Sequence, residues 1–233
     1  MLIGTIVNVF AVIFGSLIGL FFTRISDSMK DTVMKGIGLT VIILGLQMGM
    51  QSNNFLLVII SIAVGAVLGE TGKLDDQLTK AGNWLEKRFA RKTNISQGFI
   101  TATLIFCVGA MAVVGALDSG LRGDHSILYT KSLLDGFTAI ILTSTLGSGV
   151  LFSSIPIFLY QGTIALFASQ INRIIPADLL DLFIQEITAT GGVMILAIGL
   201  NLTGITHIKV ANLLPALLVV LLLIPLFTAL QLI

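Results

Sequence analysis

Residues 38–47, GLTVIILGLQ, are echoed 154 positions later by residues 192–201, GVMILAIGLN. The two stretches share glycines at their first and eighth positions, leucine at the ninth and an amide side chain at the tenth. A further likeness joins residues 4–6 and 162–164, which both read Gly-Thr-Ile. Apolar, glycine-rich segments also resemble each other through composition alone. The constant frame nevertheless predicts an internal repeat, an architecture common in secondary transporters.

The composition identifies a membrane protein. Hydrophobic residues make up 55% of the chain and charged residues 11%, and the mean hydropathy is +1.03. Thirteen basic and twelve acidic residues leave a charge close to zero, so the chain lacks the basic face that binding to nucleic acid requires. The single cysteine, Cys107, excludes a disulfide within the chain and a multi-thiolate metal site. We therefore predict an all-α polytopic membrane protein with the lipid bilayer as its principal partner.

Eight apolar segments have lengths close to that of a membrane span, which is roughly 20 residues. Several are short, which indicates broken or re-entrant helices around residues 133–171, and seven spans is the alternative count. We expect one transmembrane domain over residues 1–233, with repeat-like halves at 1–72 and 160–233 around a central region at 96–159. The segments lie at residues 2–22, 34–50, 55–70, 97–117, 133–150, 151–171, 183–203 and 210–231.

The distribution of lysine and arginine predicts the orientation, because basic residues are retained on the cytoplasmic side. An external N-terminus places ten of the thirteen basic residues inside and leaves Arg122, Lys131 and Arg173 outside. The first three spans and the last three are then offset by five spans. Since five is odd, the repeat is predicted to be inverted. The N-terminal apolar segment lacks a basic leader, and we expect it to remain as a span of the cell membrane.

An amphipathic helix is predicted at residues 74–92. Apolar residues recur there at helical spacing opposite a basic face, and Trp84 suits an interfacial position. We expect this helix to lie on the cytoplasmic membrane surface, either as an anchoring connector or as a gate between groups of spans.

Small-xxx-small glycine pairs occur in each of the first three spans. Such pairs allow close helix contact, either within one chain or between copies in a homo-oligomer. They are Gly15 and Gly19, Gly45 and Gly49, and Gly65 and Gly69.

Acidic residues in or beside the central spans are the first candidates for a functional site, because ionisable groups inside a membrane are costly. Asp135 follows Lys131 by four residues, so a helix would place both on one face. Asp135 then either neutralises Lys131 or binds an ion or proton. Asp118 directly follows the fourth predicted span. It either lines the external opening of a solute path or is simply a solvated acid.

Hydroxyl and amide side chains extend this candidate site. The central hydroxyls lie beside the glycine breaks at Gly147 and Gly149, where exposed carbonyls suit cations and helix N-termini suit anions. The same hydroxyls commonly bond their own helix backbone instead. The candidates for binding a substrate or ion are Thr143, Ser144, Ser148, Asn8, Gln47 and Asn201.

The chain resembles the bacterial inner-membrane proteins of the domain of unknown function 554 family, also called YdfK/YqgA-like. The resemblance covers nearly the whole chain, including Gly4-Thr5-Ile6-Val7-Asn8, and is most specific from Tyr129 to Gly136. The family pattern often has proline at the position of Ala110. The resemblance implies a polytopic inner-membrane protein, often suggested to transport something, and it supplies no substrate.

Three functions follow from these patterns. The leading interpretation is a secondary transporter or ion-coupled carrier of a small solute, and the alternative is a membrane sensor or accessory protein without transport activity. An enzyme is disfavoured, because residues 69–73 lack the leading glycine and the magnesium-binding hydroxyl of a phosphate loop. His125 and His207 fall in loops on opposite predicted sides, and we predict neither a metal site nor a cofactor.

Overall fold

A computed structural model describes residues 1–22, 27–80, 95–174 and 177–229. None of these residues lies in a β-strand, which confirms the prediction of an all-helical protein. Residues 74–80 are also helical, and a 3-10 turn at Val210–Leu213 precedes the last helix. The α-helices are α1 (Ile3–Phe21), α2 (Asp27–Gly49), α3 (Phe55–Gly72), α4 (Ile95–Cys107), α5 (Ala110–Leu121), α6 (Ser126–Leu146), α7 (Gly149–Phe152), α8 (Ser154–Leu166), α9 (Ala168–Ile174), α10 (Ala177–Leu202) and α11 (Ala216–Ala229).

Six segments of the described chain are long and apolar enough to cross a membrane, and a seventh is the bent pair of α4 and α5. The six contain α1, α2, α3, the consecutive helices α7 and α8, α10, and α11 with its preceding turn. These seven segments correspond to seven of the eight predicted spans. The protein is thus a polytopic helical membrane protein, as the composition indicates.

Helix α6 corresponds to the remaining predicted span. It has 21 residues but is not among the apolar segments, because Lys131, Asp135 and several hydroxyls lower its hydropathy. It packs in parallel along α1, from the contact of Gly4 with Leu128 to the contact of Gly19 with Thr143. Its length and position match those of a span, although its composition does not.

The bend between α4 and α5 is 61° and is centred on a glycine. Gly109 has a φ of 145°, a backbone conformation that side chains with a Cβ rarely adopt. A glycine therefore breaks this helix at the position before Ala110.

The bent pair runs the length of α6 and does not turn back. Near its start, Gly98 lies against the backbone carbonyl of Leu146 at the end of α6. Near its end, the Ser119 hydroxyl lies 2.8 Å from His125 Nδ1, just before α6 begins. The two ends of the pair thus reach opposite ends of a helix about 30 Å long. This geometry is that of a broken span and not of a re-entrant loop.

The described contacts divide the chain into two compact units. The first comprises Met1–Lys30 and Thr79–Ile175, and the second comprises Asp31–Leu78 and Pro176–Ile233. The first unit therefore contains α1 together with α4 to α9. The second contains α2, α3, α10 and α11, so each unit is assembled from separate parts of the chain.

The glycines of the predicted repeat meet in the second unit. Gly38 packs against the backbone of Gly199, and Gly45 packs against the backbone of Gly192. Because the contact moves backwards along α10 as it moves forwards along α2, the two helices are antiparallel. Helix α3 is likewise antiparallel to the chain at residues 212–216, through Gly65 and Gly69. These directions are those that an inverted repeat requires.

Each predicted glycine pair contacts another helix of the same chain. Gly15 and Gly19 lie against α6, whereas the other two pairs make the contacts within the second unit. Close packing inside one chain thus accounts for these pairs, and homo-oligomerisation stays a prediction. Of the predicted surface helix at 74–92, residues 81–92 lie outside the described residues.

Candidate functional site

The centre of α6 carries a buried ion pair. Lys131 and Asp135 are one helical turn apart, and each side chain is only 9% exposed. The Lys131 Nζ donates to Asp135 Oδ1 at 3.0 Å and lies 2.8 Å from Oδ2. Asp135 lies nine residues after the start of α6, or about 14 Å along its axis, which is about half the thickness of a bilayer core.

Helix α1 adds a carboxamide to the pair. Asn8 is fully buried, and its Nδ2 donates to Asp135 Oδ2 at 3.1 Å. The approach is close because Gly15 and Gly19 place α1 directly against the backbone carbonyls of Gly136 and Ile140. The glycine pair of α1 therefore positions Asn8 beside Asp135.

Helix α8 adds a second carboxamide. Gln161 is fully buried, and its Oε1 accepts a hydrogen bond from Asn8 Nδ2 at 3.3 Å. Asn8 thus donates both to a carboxylate and to an amide oxygen, an arrangement that fixes the orientation of its own amide group. We call Asn8, Lys131, Asp135 and Gln161 the buried polar cluster.

Several polar atoms of this unit have no hydrogen-bond partner among the described residues. Two belong to the cluster itself, Asn8 Oδ1 and Gln161 Nε2. The hydroxyls of Thr5, Ser16 and Thr143 likewise have no hydrogen-bond partner among the described residues. An unpaired buried polar group costs about 1–3 kcal/mol, so the cluster retains capacity to bind a further polar group.

The break between α4 and α5 lies close to the cluster. Cys107, the last residue of α4, interacts electrostatically with both Lys131 and Asp135. An apolar groove of about 470 Å³ runs between α1 and α6 and is lined by Ser132 and Gly136 among others, but not by the four residues of the cluster. A helix break thus lies close to the ion pair.

The other central candidates are placed separately. Thr143 is fully buried where α6 meets α1, whereas the Ser144 hydroxyl donates to the Ile141 carbonyl of its own helix at 2.8 Å. Ser148 lies in the turn before α7. Asp118 is near the end of α5, where its Oδ1 lies 3.6 Å from Arg122 Nε. The structure therefore joins only Asp135 and Asn8 of the predicted set in one hydrogen-bonded cluster.

Gln47 and Asn201 both belong to the second unit. Gln47 is exposed on α2. Asn201 holds the loop after α10, because its Oδ1 accepts from the Ile208 backbone N–H at 2.9 Å and from the Thr206 hydroxyl at 2.8 Å. The two positions match in the predicted repeat but have different surroundings, and their role in a substrate site stays a prediction.

Two members of the structure's polar interior were missed by sequence reasoning. Gln161 was not singled out, although an amide inside the predicted span at 151–171 was a usable signal. Glu186 lies near the start of the predicted span at 183–203, a position that gives no sign of burial, yet it is fully buried. Its Oε2 accepts from the Ser52 hydroxyl at 2.6 Å, and its Oε1 accepts from the Asn53 backbone N–H at 2.9 Å. The described residues contain no group of three or more histidine, cysteine or acidic side chains that could hold a metal ion.

Comparisons with known proteins agree with the resemblance drawn from the sequence. Residues 3–225 match the pattern of a family described as "Protein of unknown function (DUF554)". The uncharacterized membrane protein YdfK of Bacillus subtilis (strain 168) is 38% identical over 221 residues, which cover 93% of each chain. The uncharacterized protein YqgA of Escherichia coli (strain K12) is 31% identical over 227 residues, which cover 94% of each chain. No solved structure matches the chain.

Proposed function

Because the chain belongs to the DUF554 family of proteins of unknown function, we propose its function from its geometry. It is a secondary transporter, an ion-coupled carrier of a small solute, and the buried polar cluster is its binding site. The observation that carries this proposal is the Lys131–Asp135 pair, which is buried halfway along a membrane-length helix and contacted by the Asn8 amide of α1, which in turn bonds Gln161 of α8.

The cost of the cluster supports a functional role. Insertion scales assign about 2.5–3.5 kcal/mol to one charged residue at the centre of a span. Apolar side chains of similar size would commonly be as stable as a buried ion pair, or more so. A pair kept solely for packing thus has little advantage over apolar residues, whereas a carrier needs charged groups at this depth.

The surrounding helices support movement at the cluster. The span formed by α4 and α5 is bent at Gly109 beside the ion pair. The span formed by α7 and α8, which carries Gln161, is interrupted around Ser153. Broken helices at the binding site and repeats of opposite direction are recurrent features of alternating-access carriers.

We place the protein in the cell membrane with its N-terminus outside. Ten of thirteen basic residues then lie inside. The start of α1 is on the same side as the turn at residues 122–125, since the Ser119 hydroxyl bonds both the Met1 carbonyl and His125. Arg122 is thereby assigned to the external side.

Transport by purified protein in liposomes tests the proposal. Gradients of Na⁺, K⁺ and small anions are imposed one at a time, and currents on a solid-supported membrane and the internal pH are recorded. Wild type should respond to at least one gradient, and Asp135→Asn should lose the proton- or ion-coupled response. Asp31→Asn is the matched control, because it makes the same chemical change at an exposed i, i+4 pair with Lys35.

Two results would overturn the carrier function. One is no response of folded, inserted wild type to any gradient, and the other is an equal response of wild type and Asp135→Asn. Either would favour the sensor or accessory protein, in which the cluster serves helix packing.

A further inference from the structure

We propose that the buried polar cluster binds a small monovalent anion, such as a carboxylate, together with one proton that neutralises Asp135. This inference rests on the carrier function proposed above and names its substrate class. In the described conformation, the carboxylate of Asp135 occupies the place that the transported anion takes.

The donors of the cluster converge on a carboxylate. Lys131 Nζ and Asn8 Nδ2 both contact the oxygens of Asp135, at 2.8–3.1 Å. Gln161 Nε2, also fully buried, has no acceptor among the described residues. The Lys131 ammonium and the Asn8 carboxamide form a donor set that suits a carboxylate or another small oxyanion, and Gln161 Nε2 is a further buried donor of the same cluster.

The orientation of Asn8 favours an anion over a cation. Its amide nitrogen, and not its oxygen, faces Asp135, because the same nitrogen also donates to Gln161 Oε1. Rotating the amide would place its oxygen against the carboxylate, where two acceptors repel. A metal cation at the carboxylate would in turn lie next to the Lys131 ammonium, which is 2.8 Å away.

Charge balance explains why a proton accompanies the anion. Lys131 and Asp135 together are neutral, so an added anion would leave one uncompensated buried charge, which is strongly unfavourable. A proton bound by Asp135 removes the negative charge of its carboxylate. Lys131 then exchanges Asp135 for the anion and stays protonated throughout, and the cluster remains neutral with one proton and one anion bound.

The other titratable groups near Asp135 are few. Helix α1 contributes none. Cys107 on α4 interacts electrostatically with Asp135 and Lys131, and Tyr160 on α8 interacts with Cys107. A thiol and a phenol are neutral near pH 7 at their ordinary pKa values. Asp135 is therefore the group that takes up the proton as the pH falls.

Anion-dependent thermal stabilisation of detergent-purified protein tests the inference without requiring transport. Potassium formate and potassium nitrate serve as probes between pH 5 and pH 8, with potassium gluconate holding the ionic strength constant. Wild type should be stabilised more at low pH. As the pH rises, the affinity of wild type for the anion should fall about tenfold per pH unit over the range in which binding takes up one proton.

Asp135→Asn is the decisive variant, because asparagine resembles the protonated acid. It should bind formate or nitrate at least as tightly as wild type does at pH 5, and this affinity should not vary with pH. Lys131→Gln should lose the stabilisation, and Asp31→Asn, at the exposed i, i+4 pair with Lys35, should behave as wild type. The gain expected in Asp135→Asn keeps the inference testable even if Lys131→Gln fails to fold.

The outcomes separate the two proposals. Absence of anion binding in Asp135→Asn, binding by wild type that ignores pH, or stabilisation by K⁺ or Na⁺ in place of the anion would overturn the anion site. If the predicted binding pattern is present but liposomes show no flux, the anion site stands and the carrier function fails. Coupled flux in liposomes without anion binding would support the carrier function and exclude small monovalent anions as its substrate.

Discussion

Asp135 in the first unit and Glu186 in the second are both buried carboxylates, but their donors differ. Asp135 is held by the side chains of Lys131 and Asn8, which can rotate away. Glu186 is held by the Ser52 hydroxyl and by the backbone N–H groups of Asn53 and Asn54, which directly precede α3 and are fixed to the main chain. The comparison indicates that Glu186 fixes a helix end, whereas Asp135 can exchange its partners.

Lys131→Met should have the largest effect on stability. It leaves the Asp135 charge buried without its cation, and breaking a buried pair in this way costs about 3–5 kcal/mol. The measurement is the midpoint of thermal unfolding in detergent. Adding Asp135→Leu should restore most of the loss, because the double variant carries no buried charge.

The partly exposed pair of Asp118 and Arg122 is the control for this cycle. Arg122→Met should change the midpoint little, since surface ion pairs contribute about 0–1 kcal/mol. Failure of Asp135→Leu to rescue Lys131→Met would mean that Lys131 stabilises the unit by a route other than charge pairing.

Glu186→Ala should be the next largest change. Hydrogen bonds to a charged group contribute about 1.5–3 kcal/mol, and the variant removes the acceptor from Ser52 and from the Asn53 N–H. Glu186→Gln keeps one acceptor oxygen and should lose less. Neither variant should alter the response to formate, and a changed response would contradict the division of roles between the two acids.

Gly45→Ala should destabilise the second unit by about 1–3 kcal/mol, as overpacking does. A Cβ at this position meets the backbone of Leu196 and Gly192, whereas a Cβ at Gly36 on the same helix meets nothing within 4 Å. Gly36→Ala is therefore the matched control and should be neutral or slightly stabilising. Equal thermal midpoints for the two variants would contradict the close crossing of α2 and α10.

The helices were largely predictable, because apolar runs of bilayer length and their glycine breaks depend on local sequence. The pairing of Asp135 with Lys131 followed from i, i+4 spacing, whereas the predicted span at 133–150 put Asp135 near the outer end and the helix that begins at Ser126 puts it near the middle. Helix partners were not predictable, because Asn8 and Gln161 come together only when distant helices pack. The burial of Glu186 was missed for the same reason, since a residue near a span end carries no sequence signal that another helix end will cover it.

Asp124, an exposed carboxylate just before α6, contrasts with the two buried carboxylates, and its substitution should have the smallest effect on thermal stability. Its Oδ1 accepts from the Ser126 hydroxyl at 2.6 Å and from the Ser126 backbone N–H at 2.9 Å, and these bonds hold the pKa of Asp124 below its ordinary value of 3.8. A carboxyl whose pKa is lower in the folded state stabilises that state above the unfolded pKa, and the contribution disappears as the pH falls through the folded pKa. Asp124→Asn should therefore lower the thermal midpoint slightly at pH 6, and the difference from wild type should vanish at strongly acidic pH. Solvent surrounds Asp124. If Asp124→Asn lowered the thermal midpoint as much as Glu186→Ala does, burial would not determine how strongly these substitutions destabilise the protein.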